Sequence, residues 1–242
     1  MTAPANGRRV LVAGATGGIG EGACRALLRA GNEVVAVGRD AARLDALAAR
    51  LPGPVEAVVA DVTAASAAAW FTARAGTFDG VLIAIGDPGH AHGGTVLDIP
   101  DEDVRQMIEV NELGGLRALR TLVPLVRPAG AVVTVLGMSA EIPFPQNPLM
   151  GSTNAAMRSL LRTLAEQLRP TGTRIYALVL GMVRTRARQA AGIDNPSWLT
   201  GDDIGRYTDD LVVGDVPAPA QTLRYLVDPR VGPRLEPPRP TG

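Results

Sequence analysis

The residues of this chain that can do chemistry gather in a few short segments. The first is Gly14-Ala-Thr16-Gly-Gly18-Ile19-Gly20, directly after the apolar run Val10 to Ala13. Glycines at that spacing let the backbone turn sharply and approach a phosphate closely. A helix opening at Gly18 offers that phosphate free N–H groups and the positive end of its dipole. A second apolar run ends in Gly38, and Arg39 follows 19 residues beyond Gly20. An acidic side chain there would accept hydrogen bonds from an adenosine ribose and repel a 2′-phosphate, whereas an arginine attracts the phosphate. The pattern predicts a dinucleotide site that favours NADP(H) over NAD(H). Asp40 is expected to cap the next helix. Asp61, followed by Val62 at the end of a third apolar run, is placed either to meet the adenine edge or to cap a helix.

A second group is the loop Gly86-Asp87-Pro-Gly-His90-Ala-His92-Gly-Gly94, which holds both histidines of the chain. It leaves the carboxyl end of a central strand, the edge where open α/β sheets bind ligands. Histidine exchanges protons near neutral pH, and Asp87 and Glu141, on loops expected at the same edge, could orient one or act themselves. A solvated glycine-rich loop is the alternative reading. The His-x-His pair has no evident third ligand, so no metal is expected. All 24 basic residues are arginine, so no lysine can serve catalysis.

The elements that must position these groups alternate along the chain. Val10 to Ala13, Glu33 to Val37, Val55 to Ala60, Val81 to Ile85, Ala131 to Leu136 and Arg174 to Leu180 read as strands buried on both faces. Helical patterns lie at about 18–30, 40–50, 101–126 and 151–169, with a weak short one over 62–78. Briefer helical pieces are expected at 202–212 and 217–227, and the proline-rich segment 229–242 is expected to be irregular. The expectation is an α/β fold: a single-domain, Rossmann-type, doubly wound parallel sheet over 1–242 with helices on both faces. With 242 residues, 46% of them hydrophobic and 20% charged, the chain suits one compact domain rather than two. Zero formal net charge gives no footprint for nucleic acid or an anionic membrane. No apolar stretch approaches the roughly 20 residues of a membrane span. A cytoplasmic location follows by default. Cys24 is the single cysteine, which excludes an internal disulfide, and it is expected to pack in the first helix.

Over residues 8 to 185 the sequence resembles the short-chain dehydrogenase/reductase family. The matching features are Gly14-xxx-Gly18-x-Gly20, Asp61-Val62, Glu109-Val110-Asn111 and Gly181-Met-Val-Arg-Thr185. The resemblance implies a nicotinamide cofactor touched by Thr185, and a structural and proton-relay role for Asn111; an asparagine bending a buried helix is the alternative. The family reduces carbonyls with a tyrosine that donates a proton, a lysine four residues later, and a serine about 13 residues earlier. Leu149-Met150-Gly-Ser-Thr-Asn154-Ala-Ala-Met157 matches that helix start, with Met150 at the tyrosine position and Asn154 at the lysine position. Counting back 13 residues lands on Gly137, and Ser139 fits only with a shifted loop. The family's Asn-Asn-Ala-Gly signature reads Ile83-Ala84-Ile85-Gly86, in which Gly86 still lets the backbone pass close to a cofactor. The resemblance makes 184–215 a substrate lid, and Tyr207 within it the one tyrosine able to reach the site.

Ordinary alcohol dehydrogenation by the family mechanism is therefore not expected. Three readings follow. The first is a reductase of an imine or conjugated double bond, since hydride transfer to an iminium needs no proton on oxygen. The second is a non-redox cyclase, dehydratase or isomerase that uses His90, His92 or Glu141. The third is a protein that senses NADP(H) or supports a partner without turnover. By resemblance the chain is a homodimer through the helices at 101–126 and 151–169, with Met157, Leu160 and Leu164 on the second. The family's tetramer-forming Asp-Gly-Gly ending is absent.

Overall fold

A computed structural model describes residues 7–64, 71–89 and 94–238. Eight strands form one sheet in the order β3-β2-β1-β4-β5-β6-β7-β8. They are β1 (Arg9–Ala13), β2 (Glu33–Gly38), β3 (Glu56–Val59), β4 (Phe78–Ile83), β5 (Val126–Gly137), β6 (Arg174–Leu180), β7 (Leu223–Leu226) and β8 (Pro233–Arg234). Neighbours from β3 through β7 pair in parallel, and only β8 runs antiparallel to its partner. Strand order reverses between β1 and β4, which opens a crevice at their carboxyl ends, where doubly wound sheets bind nucleotides.

Both sheet faces are covered, which is why the strands are nearly continuous in apolar character. On one face Val10, Val12 and Val133 pack with Leu27 of α1 (Gly18–Arg29), Leu44 and Leu47 of α2 (Ala41–Ala48), and Ile204 and Leu211. Ile204 and Leu211 belong to the helix Gly201–Val213, labelled α7. On the other face Leu11, Val35, Val81 and Val132 pack with Leu119 and Leu122 of α4 (Gly114–Leu122) and with Met157 and Leu161 of α5 (Pro148–Leu168). Cys24 is buried in α1, as expected.

The pattern at 101–126 resolves into α3 (Asp101–Met107), a π-helical stretch Ile108–Leu113, α4, and a 3-10 turn Val123–Leu125. Asn111 sits inside the π-helical stretch. The expected helix at 217–227 is instead the parallel strand β7, paired with β6 through Leu180 and Leu226. Its cause is a period of two. Tyr225 joins the face of α4 and α5, while Arg224 is fully buried with its guanidinium donating to the carbonyls of Gln221, Pro217 and Ala218 at 3.1, 2.7 and 2.5 Å. The segment after 229 is not wholly irregular, because Pro233–Arg234 adds the antiparallel edge strand. The weak helix expected over 62–78 lies partly outside the described residues.

Candidate functional site

The glycine turn is shaped by what each glycine faces. Gly14 has φ +81°, and a Cβ on it would lie 2.3 Å from the Ala84 carbonyl oxygen. A Cβ on Gly20 would lie 2.2 Å from the Gly14 oxygen, so the turn folds back on itself at a distance only glycine permits. Gly17 occupies the N-cap of α1 and supplies no side chain to cap it. The first N–H groups of α1 therefore have no capping side chain, the condition under which a helix N-terminus holds an anion. Ile19 anchors the turn by packing against the core.

Beside this turn lies a cleft of about 750 Å³ bounded by Gly14, Thr16, Arg39, Asp61, Val62 and Gly86. The structure thus gathers residues that the sequence places in four separate segments. Arg39 is exposed at the cleft edge and has no hydrogen-bond or ion-pair partner among the described residues. Arg43, which sequence reasoning missed, lines the same cleft and donates to the Thr16 carbonyl at 3.0 Å. The signal was its spacing of one helical turn from Arg39, on a helix whose cap, Asp40, accepts from the Arg43 amide at 3.0 Å as expected. Asp61 accepts from the Thr63 amide at 2.9 Å and from its hydroxyl at 2.6 Å. Burial opposes ionisation of Asp61, but the Thr63 hydrogen bonds and the Arg39 charge outweigh it and hold the carboxyl below its usual range. It is an anion in the cleft at neutral pH.

The loop after β4 is clamped from two helices. Asn111 accepts from the Asp87 amide at 2.7 Å and donates to the Asp87 carbonyl at 2.9 Å. Asn147 donates to the Pro88 carbonyl and accepts from the Met150 amide at 3.1 Å, so one buried side chain both holds the loop and caps α5. Sequence reasoning also missed Asn147, although Asn before Pro148 is a strong helix-start signal. His90 and His92 lie outside the described residues.

Past that cap, Met150 and Asn154 lie one turn apart on α5. Asn154 donates from Nδ2 to the Ser139 hydroxyl oxygen at 3.0 Å, so the turn after β5 brings Ser139 to the helix despite its offset in sequence. Gly137 faces the same point: a Cβ there would lie 3.1 Å from Asn154 Nδ2 and 3.4 Å from Ser139 Oγ. Glu141 is engaged elsewhere, paired with Arg158 of α5 and accepting from the Tyr225 hydroxyl at 2.9 Å. Burial and the Glu141 contact push the Tyr225 phenol up to about 12, so it serves only as a neutral donor. Tyr207 is buried in α7 among the side chains of the α1 face. It does not reach the Ser139–Asn154 pair, which lies on the α5 side.

The segment after β6 folds as a flap. Its neck is a bridge between buried Val183 and Leu199, and Arg184 and Asp194 form a two-pronged ion pair across it, at 2.6 Å for each prong. Thr185 caps the short helix α6 (Arg186–Ala190) and covers Gly18, where a Cβ would lie 2.8 Å from the Thr185 Cβ. The rest of the expected lid is α7, buried against α1, where Gly201 meets Gly22 and Gly205 meets Ala23. Among the described residues no cluster of His, Cys, Asp and Glu could hold a metal ion, and no helix is long and apolar enough to cross a membrane.

A glycine turn at the reversal of strand order, an uncapped helix N-terminus and a cleft running past Arg39 and Asp61 define a dinucleotide-binding protein of the Rossmann type. The family model described as enoyl-(acyl carrier protein) reductase matches residues 14–203. An uncharacterized oxidoreductase of Staphylococcus epidermidis is 31% identical over 197 residues, covering 80% of this chain and 86% of that protein. The chain belongs to the short-chain dehydrogenase/reductase family. A solved oxidoreductase of that family from Burkholderia thailandensis matches with TM-score 0.77 at 26% identity, over 92% of this chain and 91% of the other. An NADPH-bound short-chain oxidoreductase from Pseudomonas aeruginosa, described as containing an atypical catalytic center, matches in fold with TM-score 0.75 at 22% identity, over 89% and 92%.

Proposed function

We propose that this protein is an NADP(H)-dependent oxidoreductase that reduces an imine or a conjugated double bond of a small metabolite rather than a simple ketone. The observation that carries the reading is the pairing of Asn154 with Ser139 beside Met150, in a chain without lysine. A thioether neither donates a proton nor titrates, so the site has no phenol to protonate an alkoxide. Gly14, Gly18, Gly20 and the α1 N-terminus would hold the pyrophosphate, Arg39 and Arg43 a 2′-phosphate, Asp61 and Val62 the adenine, and Asn154 and Thr185 the nicotinamide end. The bound cofactor supplies the hydride. Because Asn154 donates into the Ser139 oxygen, the Ser139 proton is left to point outward toward a substrate acceptor. That hydroxyl can hydrogen-bond the reacting group without transferring a proton. This suffices where the substrate is an iminium already protonated in solution, which hydride converts directly to a neutral amine, or a conjugated double bond, whose enolate takes its proton from water.

The test is loss of NADPH absorbance with a panel of cyclic imines, enones and simple ketones, alongside calorimetric titration with NADPH and NADH. Turnover of imines or enones but not ketones is expected, with NADPH bound more tightly than NADH. Turnover of simple ketones at comparable rates, or a preference for NADH, overturns the proposal. We take the working unit to be a homodimer through α4 and α5, on which Met157 is buried but Leu160 is 37% exposed. Sedimentation of wild type and Leu160→Glu tests it, with a monomeric wild type counting against it.

A further inference from the structure

Glu21 lies in the first turn of α1, immediately after the glycine turn, and its side chain is 10% exposed. Three arginines from different elements converge on it. Arg25 of α1 approaches to 3.3 Å, Arg50 beyond the end of α2 to 2.9 Å, and Arg186 of the flap to 2.7 Å. They are not equivalent. Arg25 is also tied to Asp202 at 2.6 Å, and Arg50 binds both oxygens of Glu21. Arg186 is 56% exposed and has Glu21 as its one ion-pair partner among the described residues. Thr185, its neighbour, already rests on Gly18. The flap between Arg184 and Trp198 is otherwise bonded mainly to itself and to its neck, through Arg184 to Asp194 and Arg188 to the Val183 carbonyl. Arg186 is thus its charged tie to the body of the protein.

We infer that Arg186 is a pyrophosphate ligand held in reserve: it exchanges its Glu21 partner for the cofactor's pyrophosphate and thereby makes flap closure depend on the cofactor. The inference rests on the cofactor reading above. A pyrophosphate seated on the uncapped N-terminus of α1 carries two negative charges against the single charge of Glu21, on the residue side where Thr185 meets the turn. Glu21 loses little in the exchange, because Arg25 and Arg50 remain to satisfy it. Arg186 gains a phosphate, for which its planar fork is suited.

The exchange predicts opposite effects from the two partners of one ion pair. Arg186→Ala removes a charge-assisted contact and should weaken NADPH binding by about 10- to 100-fold. Glu21→Gln releases Arg186 and removes a competing carboxylate, and should tighten NADPH binding several-fold. The Glu21→Gln/Arg186→Ala double variant should bind like Arg186→Ala alone. Adenosine 2′,5′-bisphosphate, which has no pyrophosphate, should bind all three variants almost as it binds wild type. Titration calorimetry on the full chain measures each, and circular dichroism melting confirms that the variants are folded. If both single variants weaken NADPH binding alike, the pair is only a brace for the flap and the inference fails while the cofactor reading stands. If wild type binds neither NADPH nor the bisphosphate, the cofactor reading fails and takes the inference with it.

Discussion

Replacing Asn111 by alanine separates two roles for that side chain. Its amide holds both the N–H and the C=O of Asp87, at 2.7 and 2.9 Å, in a half-buried position. Each bond is worth about 1 kcal/mol net, and water can partly reach the freed groups, so the loss should be about 2 kcal/mol. A domain of this size loses about 2–4 °C of Tm per kcal/mol, which places the expected drop at about 4–8 °C. The clamped loop carries Gly86 along the cleft wall, so loosening it should also weaken NADPH binding, by no more than the roughly 30-fold that the same energy allows. Asn111→Asp keeps the acceptor for the Asp87 amide but turns the donor into an anion facing the Asp87 carbonyl. It should therefore be at least as damaging as alanine at neutral pH, and should recover as pH falls and the new carboxyl regains a proton to donate. Melting curves, NADPH calorimetry and amide exchange at Gly86–Gly89 read the three effects. An Asn111→Ala protein with unchanged Tm and unchanged exchange, but with turnover abolished, would refute the clamp and leave a proton-relay role instead.

Three further expectations come from buried or crowded groups. Arg224→Met strips three backbone carbonyls of their donor, at about 1–3 kcal/mol each, and should lower Tm by about 10 °C or more in calorimetry; a change under about 2 °C would show that the loop 217–221 finds other donors. The Arg50 hydrogen bond, then the Arg186, Arg50 and Arg25 charges, hold the Glu21 carboxyl below its ordinary 4.5 despite the opposing effect of burial. Its contribution to stability is therefore complete above 4.5 and lost as pH falls through the lower folded-state value, so Glu21→Gln should flatten that part of the Tm-against-pH curve; identical acid limbs would contradict it. Gly20→Ala, whose Cβ would sit 2.2 Å from a backbone oxygen, should abolish NADPH binding measured by calorimetry, and near-wild-type affinity would show that the turn can open.

The glycine turn and the parallel sheet were legible because each is dictated locally: apolar runs buried on both faces leave no other strand pattern, and a Gly-rich turn between strand and helix has few uses. What could not be read depends on pairing across the chain. Glu141 looked like a free acid because its partner Tyr225 is 84 residues away. Residues 217–227 hold a strand where a brief helix was expected, and Arg224 within it is buried by carbonyls that only the folded loop supplies. Ser139 was out of register by count, and a single 3-10 turn at Met138–Ala140 restores it to Asn154. These three cases share one physical cause. A polar side chain's role is set by which donor or acceptor survives desolvation beside it, and spacing along the chain constrains that partner only within one helical turn or one strand pair. The Ser139–Asn154 pair is the plainest case: 15 residues separate the two side chains, and only the 3-10 turn after β5 brings the hydroxyl within 3.0 Å of the amide on α5.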